Sequence, residues 1–251
     1  MTTNKHRLPF LLSVVLIPTL VAAASAQTAD EVVEKHLAAL GGREALGKLT
    51  SRKSTGKITV TNEAGTIPGS VEIYAKAPNK SRVNIKLDLS AMGAGDMTID
   101  QRFDGTAGYM LNSMQGDSEI TGNQLENMRN NVFPSPLLNY KEAGTKIELL
   151  PKEKVGDKEA LVLLITPKAG SAVRMFFDPD TSLILRTIAK INSPQMGGDI
   201  EQTIDLSDYR PVDNVKVAFH VVNTNPMQSL SISFDKIEQN VPIDDAMFVK
   251  K

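Results

Sequence analysis

The amino-acid sequence predicts a mainly β protein with some α: a single large curved antiparallel sheet, covered by an N-terminal helix and by helical segments inserted later in the chain. Three observations carry this. From residue 57 onward, apolar residues recur at every second position in a series of short segments, the period of a strand with one oily and one wet face. The early connections between these segments are short and rich in Gly, Pro, Asn and Asp, which suits hairpins and leaves no room for crossover helices. Helix-period patterns are confined to residues 28–49 and 121–140, at the start and in the middle of the strand series.

Thr28-Ala29-Asp30-Glu31 forms a capping box, and Val33, Leu37 and Leu40, with Val32 and His36 beside them, share one face of the helix that follows. Gly41-Gly42 stops it, and Arg43 to Leu49 adds one or two further turns. Ile58 and Val60, then Val71 and Ile73, then Val83, Ile85, Leu87 and Leu89 alternate with polar neighbours as three strands. Gly65 and Gly69 are assigned to the first connection, and Ala77-Pro78-Asn79-Lys80 to the second. Residues 97–100 and 108–111 are two more strands about an Asp104-Gly105 turn. Thr121 or Asn123 caps a helix through Leu125, Met128 and Val132, which Phe133-Pro134 ends, and residues 135–140 form a short helical or looped stretch. Strands follow at 146–150, 159–166, 172–177, 183–191, 200–209, 215–222 and 230–237, for about twelve in all. Asp178-Pro179-Asp180 makes a turn, and Lys152, Lys154 and Lys158 with Glu153, Asp157 and Glu159 are read as a solvated turn of mixed charge.

Composition bounds the function. The 251 residues are 41% hydrophobic and 23% charged, which excludes a disordered chain, a coiled-coil rod and a polytopic membrane protein. Lys5, His6 and Arg7 precede an apolar stretch over 8–21 that Pro9 and Pro18 interrupt, and Ala24-Ser25-Ala26 supplies small residues before Gln27. This is the pattern of a secretory signal peptide, shorter than the run of about 20 apolar residues that spans a bilayer. The expected organisation is a signal peptide over 1–26 and one domain over 27–251, with no membrane span in the mature form. Of 28 Lys and Arg, only Lys5 and Arg7 lie in the leader, so 29 acidic residues slightly outnumber the bases that remain, and nucleic acid is not an expected partner. The chain has no cysteine, hence no disulfide, thiolate metal site, thiol nucleophile or lipid-modified anchor. An exported chain of this kind fits a bacterial periplasm.

Motifs for chemistry are sparse. His36 and His220 are the histidines outside the leader, neither with a ligand-spaced partner, and both are read as structural. Asp178/Asp180 and Asp244/Asp245 are assigned to a turn and to the cap of a final helical turn. No nucleophile elbow, phosphate loop or zinc-protease motif occurs, so no enzyme activity, metal or cofactor is expected.

One-sided strands must cover their oily face, and here two readings stand: helices pad the sheet incompletely and leave a lined pocket, or side chains fill it as an ordinary core. Met92, Met97, Met110, Met114 and Met128, interleaved with glycines, make residues 92–128 a soft segment suited to adaptable apolar contact or to filling an irregular core. The candidate ligand-binding residues are Ile58, Val60, Val71, Ile73, Val83, Ile85, Leu87, Met97, Ile99 and Met110 on the sheet, with Leu125 and Met128 on a lid helix.

The order of the phrases ADEVVEKHLAALGGREAL, TGKITV, MFFDPDTSLILRT, DYRPVDNVKVAFHV and PIDDAMFVK resembles the periplasmic outer-membrane lipoprotein-sorting proteins, the LolA/LolB-like superfamily. The resemblance implies a half-open β-barrel whose concave apolar face, lidded by helices, holds acyl chains; the chain exceeds the best-known carriers in length, and no site residue is carried over. The function expected is therefore a periplasmic carrier or binding protein for lipids or lipoprotein acyl chains, a monomer, with an envelope membrane protein as a further partner. The competing expectation is a structural or partner-binding envelope protein with the same fold and a filled core.

Overall fold

Thr28 opens the first helix as the capping pattern requires. In the computed structural model, which describes residues 1–2, 27–193 and 198–250, the Glu31 amide donates to Thr28 Oγ1 and the Thr28 amide to Glu31 Oε2, each at 3.2 Å. Almost all of the predicted leader lies outside the described residues. Helix α1 (Ala29–Leu40) ends at Gly41, whose φ of 132° few other residues would adopt, and α2 (Arg43–Gly47) follows.

Thirteen strands then form one sheet: β1 (Ser51–Asn62), β2 (Gly65–Lys76), β3 (Lys80–Leu87), β4 (Met97–Phe103), β5 (Gly108–Asn112), β6 (Ser118–Ile120), β7 (Lys146–Val155), β8 (Lys158–Thr166), β9 (Val173–Phe177), β10 (Ile184–Ser193), β11 (Gly198–Val212), β12 (Val215–Asn225) and β13 (Gln228–Gln239). Helix α3 (Gly122–Asn130) is inserted between β6 and β7. The strand order is β6-β5-β4-β3-β2-β1-β13-β12-β11-β10-β9-β8-β7, antiparallel throughout. All neighbours but one are consecutive in the chain. The exception, β1 beside β13, pairs the first strand with the last and joins two meanders in the middle of the sheet, with Ile58 opposite Ile232 and Val60 opposite Leu230.

Register shows which way the sheet curls. Residues opposite one another share a face, so Ile58, Gly69 and Leu87 lie in one row and Val71, Ile85 and Ile99 in another, on the same side as Phe103 and Ile120. Helix α3 packs Leu125 and Met128 onto Phe103 and Ile120 near one end of the strand order. It also lies against β10 toward the other end. Its asparagines bond the β8–β9 connection: Asn127 Oδ1 accepts from the Ser171 amide at 2.7 Å and Asn130 Nδ2 donates to the Ala169 carbonyl at 2.7 Å. One short helix can touch both ends only if the sheet curves toward it, so the face bearing Ile58 and Ile85 is concave.

The main core sits on this concave side, where α1, α2 and the segment over 133–140 cover strands of the second meander. Val33, Leu37, Leu46, Leu137, Leu163 and Phe177 are all buried there. Helix α1 thus docks on the sheet through Val33 and Leu37, beside β12 and β7 rather than across β1–β4, and Leu40 is only half-buried. Asp30 holds Tyr140 and Lys141, while Arg43 bonds both Glu34 (2.5 Å) and the Leu138 carbonyl (2.6 Å), tying the inserted segment to the helix.

The structure corrects several local expectations. Among the described residues there are thirteen strands rather than about twelve, because β6 has three residues, too few to display a period. Gly65 and Gly69 belong to β2, not to the turn before it. A Cβ at Gly69 would lie 2.4 Å from the Lys86 carbonyl oxygen, so the residue is demanded by close strand packing. Residues 152–159 are mostly strand: β7 continues past a bulge between Leu150 and Glu153, the turn is Gly156-Asp157, and Glu153 pairs with Arg174.

Candidate functional site

The concave face divides into a covered and an uncovered part. Across β13, β1, β2, β3 and β4, where no helix of the described residues lies over it, it is apolar. Ile58, Val60, Val71 and Leu87 are buried by their neighbours in the curved sheet, while Ile67, Ile73, Val83, Ile85, Met97, Leu230, Ile232 and Phe234 are half-buried around them. An apolar surface of this kind gives about 0.8 kcal/mol for each methylene that it removes from water. The opposite face of the same strands carries Lys57, Lys86, Arg82, Asp100 and Arg102, so the alternation that makes one wall oily makes the other charged.

The structure brings eight of the twelve predicted lining residues into this one cluster: Ile58, Val60, Val71, Ile73, Val83, Ile85, Leu87 and Met97. Ile99 lies on the same face, opposite Ile85. Met110, Leu125 and Met128 do not join it. They form a separate cluster with Phe103 and Ile120, in which Met128 is buried. The lid helix is therefore docked over β4–β6 and bridges to β10; it does not lie over Ile58 and Val71. The methionine-rich segment divides too: Met97 lines the wall, while Met92 and Met114 sit exposed at hairpin tips, 52% and 63% accessible.

Three wall residues escaped the sequence reading, namely Leu230, Ile232 and Phe234 on β13. Their alternation had marked a strand, but only the pairing of β1 with β13 puts them on this wall. Also unforeseen is Arg52, on the same face of β1 as Ile58 and Val60. Its guanidinium stands 5.3 Å from the centre of the Phe133 ring and its Nε donates to Gln239 Oε1 at 3.2 Å.

The candidate chemical groups are each engaged by neighbouring side chains or backbone. His36 is 2% exposed, donates Nδ1–H to the Ser182 carbonyl at 2.9 Å and meets Phe177 edge-on; burial pushes its pKa below the usual 6.5. His220 Nδ1 lies 3.1 Å from Ser233 Oγ on the outer face, but nearby Asp208 is held by Arg210 at 2.6 Å and so does not orient the imidazole. Burial would raise the Asp178 carboxyl, yet the Lys158 ammonium and the Asp180 and Thr181 amides hold it below the usual carboxylate range, as a turn anchor. Asp244 caps the last short helical turn by accepting from the Ala246 amide at 2.9 Å. Asp245, bound by Lys76 and Lys80 at 2.7 Å each, is lowered to about 2. Among the described residues, no group of His, Cys, Asp and Glu side chains is placed to hold a metal ion, and no helix is long and apolar enough to cross a membrane.

Of the surface depressions, one reaches the wall at Phe234. This one, of about 560 Å³, is beside His220 and Ser233, and one of about 710 Å³ is beneath the C-terminal segment near Thr50 and Ile243; both are shallow and open. The wall itself is an open apolar surface, continuous across β13, β1, β2, β3 and β4.

No family model matches the chain, and no curated protein matches it in sequence. Solved structures match in fold. An outer membrane lipoprotein-sorting protein domain from Vibrio parahaemolyticus is 11% identical, with a TM-score of 0.56 over 87% of this chain and 94% of that one. A DUF1329 family protein from Desulfovibrio piger is 13% identical, with a TM-score of 0.57 over 89% and 98%. A LolA superfamily protein from Nitrosomonas europaea is 13% identical, with a TM-score of 0.56 over 90% and 99%. With its curved, helix-covered antiparallel sheet, the chain has a LolA-like fold.

Proposed function

We propose that the protein is a periplasmic, non-enzymatic carrier or binding protein for lipids or lipoprotein acyl chains, which lie on the uncovered concave wall. The observation that carries this reading is the half-buried apolar surface of Ile73, Val83, Ile85, Met97, Ile232 and Phe234, which no other element of the described chain covers. A soluble protein rarely leaves so large a contiguous apolar surface without a use. Its similarity in fold to a structure described as a lipoprotein-sorting domain supports the same reading. Binding by burial alone selects by length and shape, so the wall needs no specific polar contact to hold a long chain. The leader pattern over 1–26 supports export.

The test uses delipidated protein without the leader and a fluorescent acyl probe. Saturable uptake that long-chain lipid or a lipopeptide displaces is the expected result. Failure to take up any acyl probe, in protein shown by circular dichroism to be folded, sinks the reading.

A further inference from the structure

At the helix-covered end of the concave face lies a cation with no counter-charge. Arg52 is on β1, on the same face as Ile58 and Val60. Eight residues separate it from Val60, about 26 Å at the rise of an extended strand. An arginine side chain has five donors in a planar fork. Among the described residues only Nε has a protein partner, Gln239 Oε1 at 3.2 Å, and no acidic group acts on the charge; the two Nη groups keep contact with solvent. The ring of Phe133 covers the guanidinium at 5.3 Å. Burial alone lowers its pKa to about 10, with no acidic neighbour acting the other way.

The second observation is independent. Gln239, opposite Arg52 in the β1–β13 pairing and only 7% exposed, has its Nε2 buried without any hydrogen-bond partner. An unsatisfied buried donor is costly and rare in a folded protein, and the half-buried Arg52 cation beside it has no counter-charge among the described residues. The Arg52 Nη groups and the Gln239 Nε2, all donors, thus stand side by side at one end of the apolar wall.

From this we infer that the covered end of the concave face binds an oxyanion, the carboxylate or phosphate head of a long-chain amphiphile, through the Arg52 fork and the Gln239 amide, with the alkyl chain running along β1 over Ile58 and Val60. A planar guanidinium matches either head group with paired hydrogen bonds, which strengthen in a site that excludes water. The inference rests on the acyl-binding reading and narrows it to amphiphiles with an anionic head.

The experiment measures displacement of a neutral fluorescent alkyl probe from delipidated protein by palmitate, hexadecyl phosphate and hexadecanol. Wild type should bind at least one of the two anions about tenfold or more tightly than the alcohol, a difference of about 1.4 kcal/mol; which anion is preferred identifies the head group. Arg52→Gln should abolish the preference while leaving hexadecanol affinity unchanged, and Arg52→Lys should retain part of it. Equal affinity of wild type for all three ligands overturns the inference and leaves the acyl-binding reading standing. Absence of binding by all three removes both. A lower melting temperature in Arg52→Gln with the anion preference intact assigns Arg52 to packing and also overturns it; should that variant not fold, Gln239→Leu, which must weaken the preference, decides in its place.

Discussion

Strands β1–β4 and strands β7–β9 belong to the same sheet and present the same concave side, yet one set makes a wall and the other a core. In β7–β9, Leu163 and Phe177 are fully buried beneath α1 and the 133–140 segment. In β3 and β4, Val83, Ile85 and Met97 stay half-buried, with no helix of the described residues over them. The outer faces differ as well. Ala160, Val162 and Phe176 bury a second small cluster on the outer side of β8 and β9, whereas β3 and β4 turn Arg82, Lys86, Asp100 and Arg102 outward. Whether an apolar strand face is core or binding surface is thus decided by what distant segments bring to it, not by the strand.

The sharpest way to break this comparison is to charge the covered half. Leu37, 1% exposed at the centre of the helix-covered cluster, has no partner for a carboxylate. Leu37→Asp should destabilise the fold by about 3–5 kcal/mol and lower thermal stability with or without ligand. Unchanged melting would mean that α1 is not docked through this residue.

The uncovered half should behave in the opposite way, with a large effect on ligand and a small one on the fold. Ile85 points into the trough and Lys86, its neighbour, away from it, where Lys86 pairs with Asp96 at 2.5 Å. Ile85→Glu should weaken acyl-probe binding about tenfold or more while costing about 1 kcal/mol of stability. Lys86→Glu should leave binding within twofold, since an exposed pair contributes at most about 1 kcal/mol. Equal effects of the two changes on binding would show that no ligand lies on this face.

Much of this division was legible in the sequence. The period of two in 82–89 told which residues share a face, and residues 159–166 were legible as a strand, although their burial on both sides was not. The capping box at Thr28 and the Asp178 turn rest on bonds spanning two or three residues, and such short-range chemistry is written locally. What stayed hidden depends on contacts far apart in the chain. The first strand meets the last, which adds Ile232 and Phe234 to the wall and sets Gln239 beside Arg52. Helix α3 looked like a cover for Ile58 because its apolar residues match the wall in character; its place over β4–β6 is set by Asn127 and Asn130 bonding the β8–β9 connection, which no periodicity reveals.

His36 offers a pH test of the covered half. Burial lowers its folded pKa below 6.5, so the unfolded chain binds the extra proton first. Its contribution is fully present above about pH 6.5 and is lost as the pH falls from there toward the lowered folded value. Wild type should lose stability between pH 7 and pH 5 by more than His36→Gln does. Parallel pH profiles for the two would mean that the imidazole titrates in the folded protein as it does in the unfolded one.

The smallest effects should come from methionines that the sequence groups together and the fold separates. Met97 lies in the wall cluster, with Leu87 opposite it on β3. Met92 and Met114 project at hairpin tips, more than half exposed, and touch neither apolar cluster. A flexible thioether adapts to a ligand only where the ligand can reach it. Met97→Ser should therefore weaken acyl-probe binding severalfold through lost apolar contact. The double variant Met92→Ser, Met114→Ser should leave both binding and stability within about 0.5 kcal/mol of wild type, the range of exposed substitutions. If the double variant instead lost binding while Met97→Ser kept it, the ligand would sit at the hairpin tips rather than in the trough, and the contrast between covered and uncovered halves would lose its functional meaning.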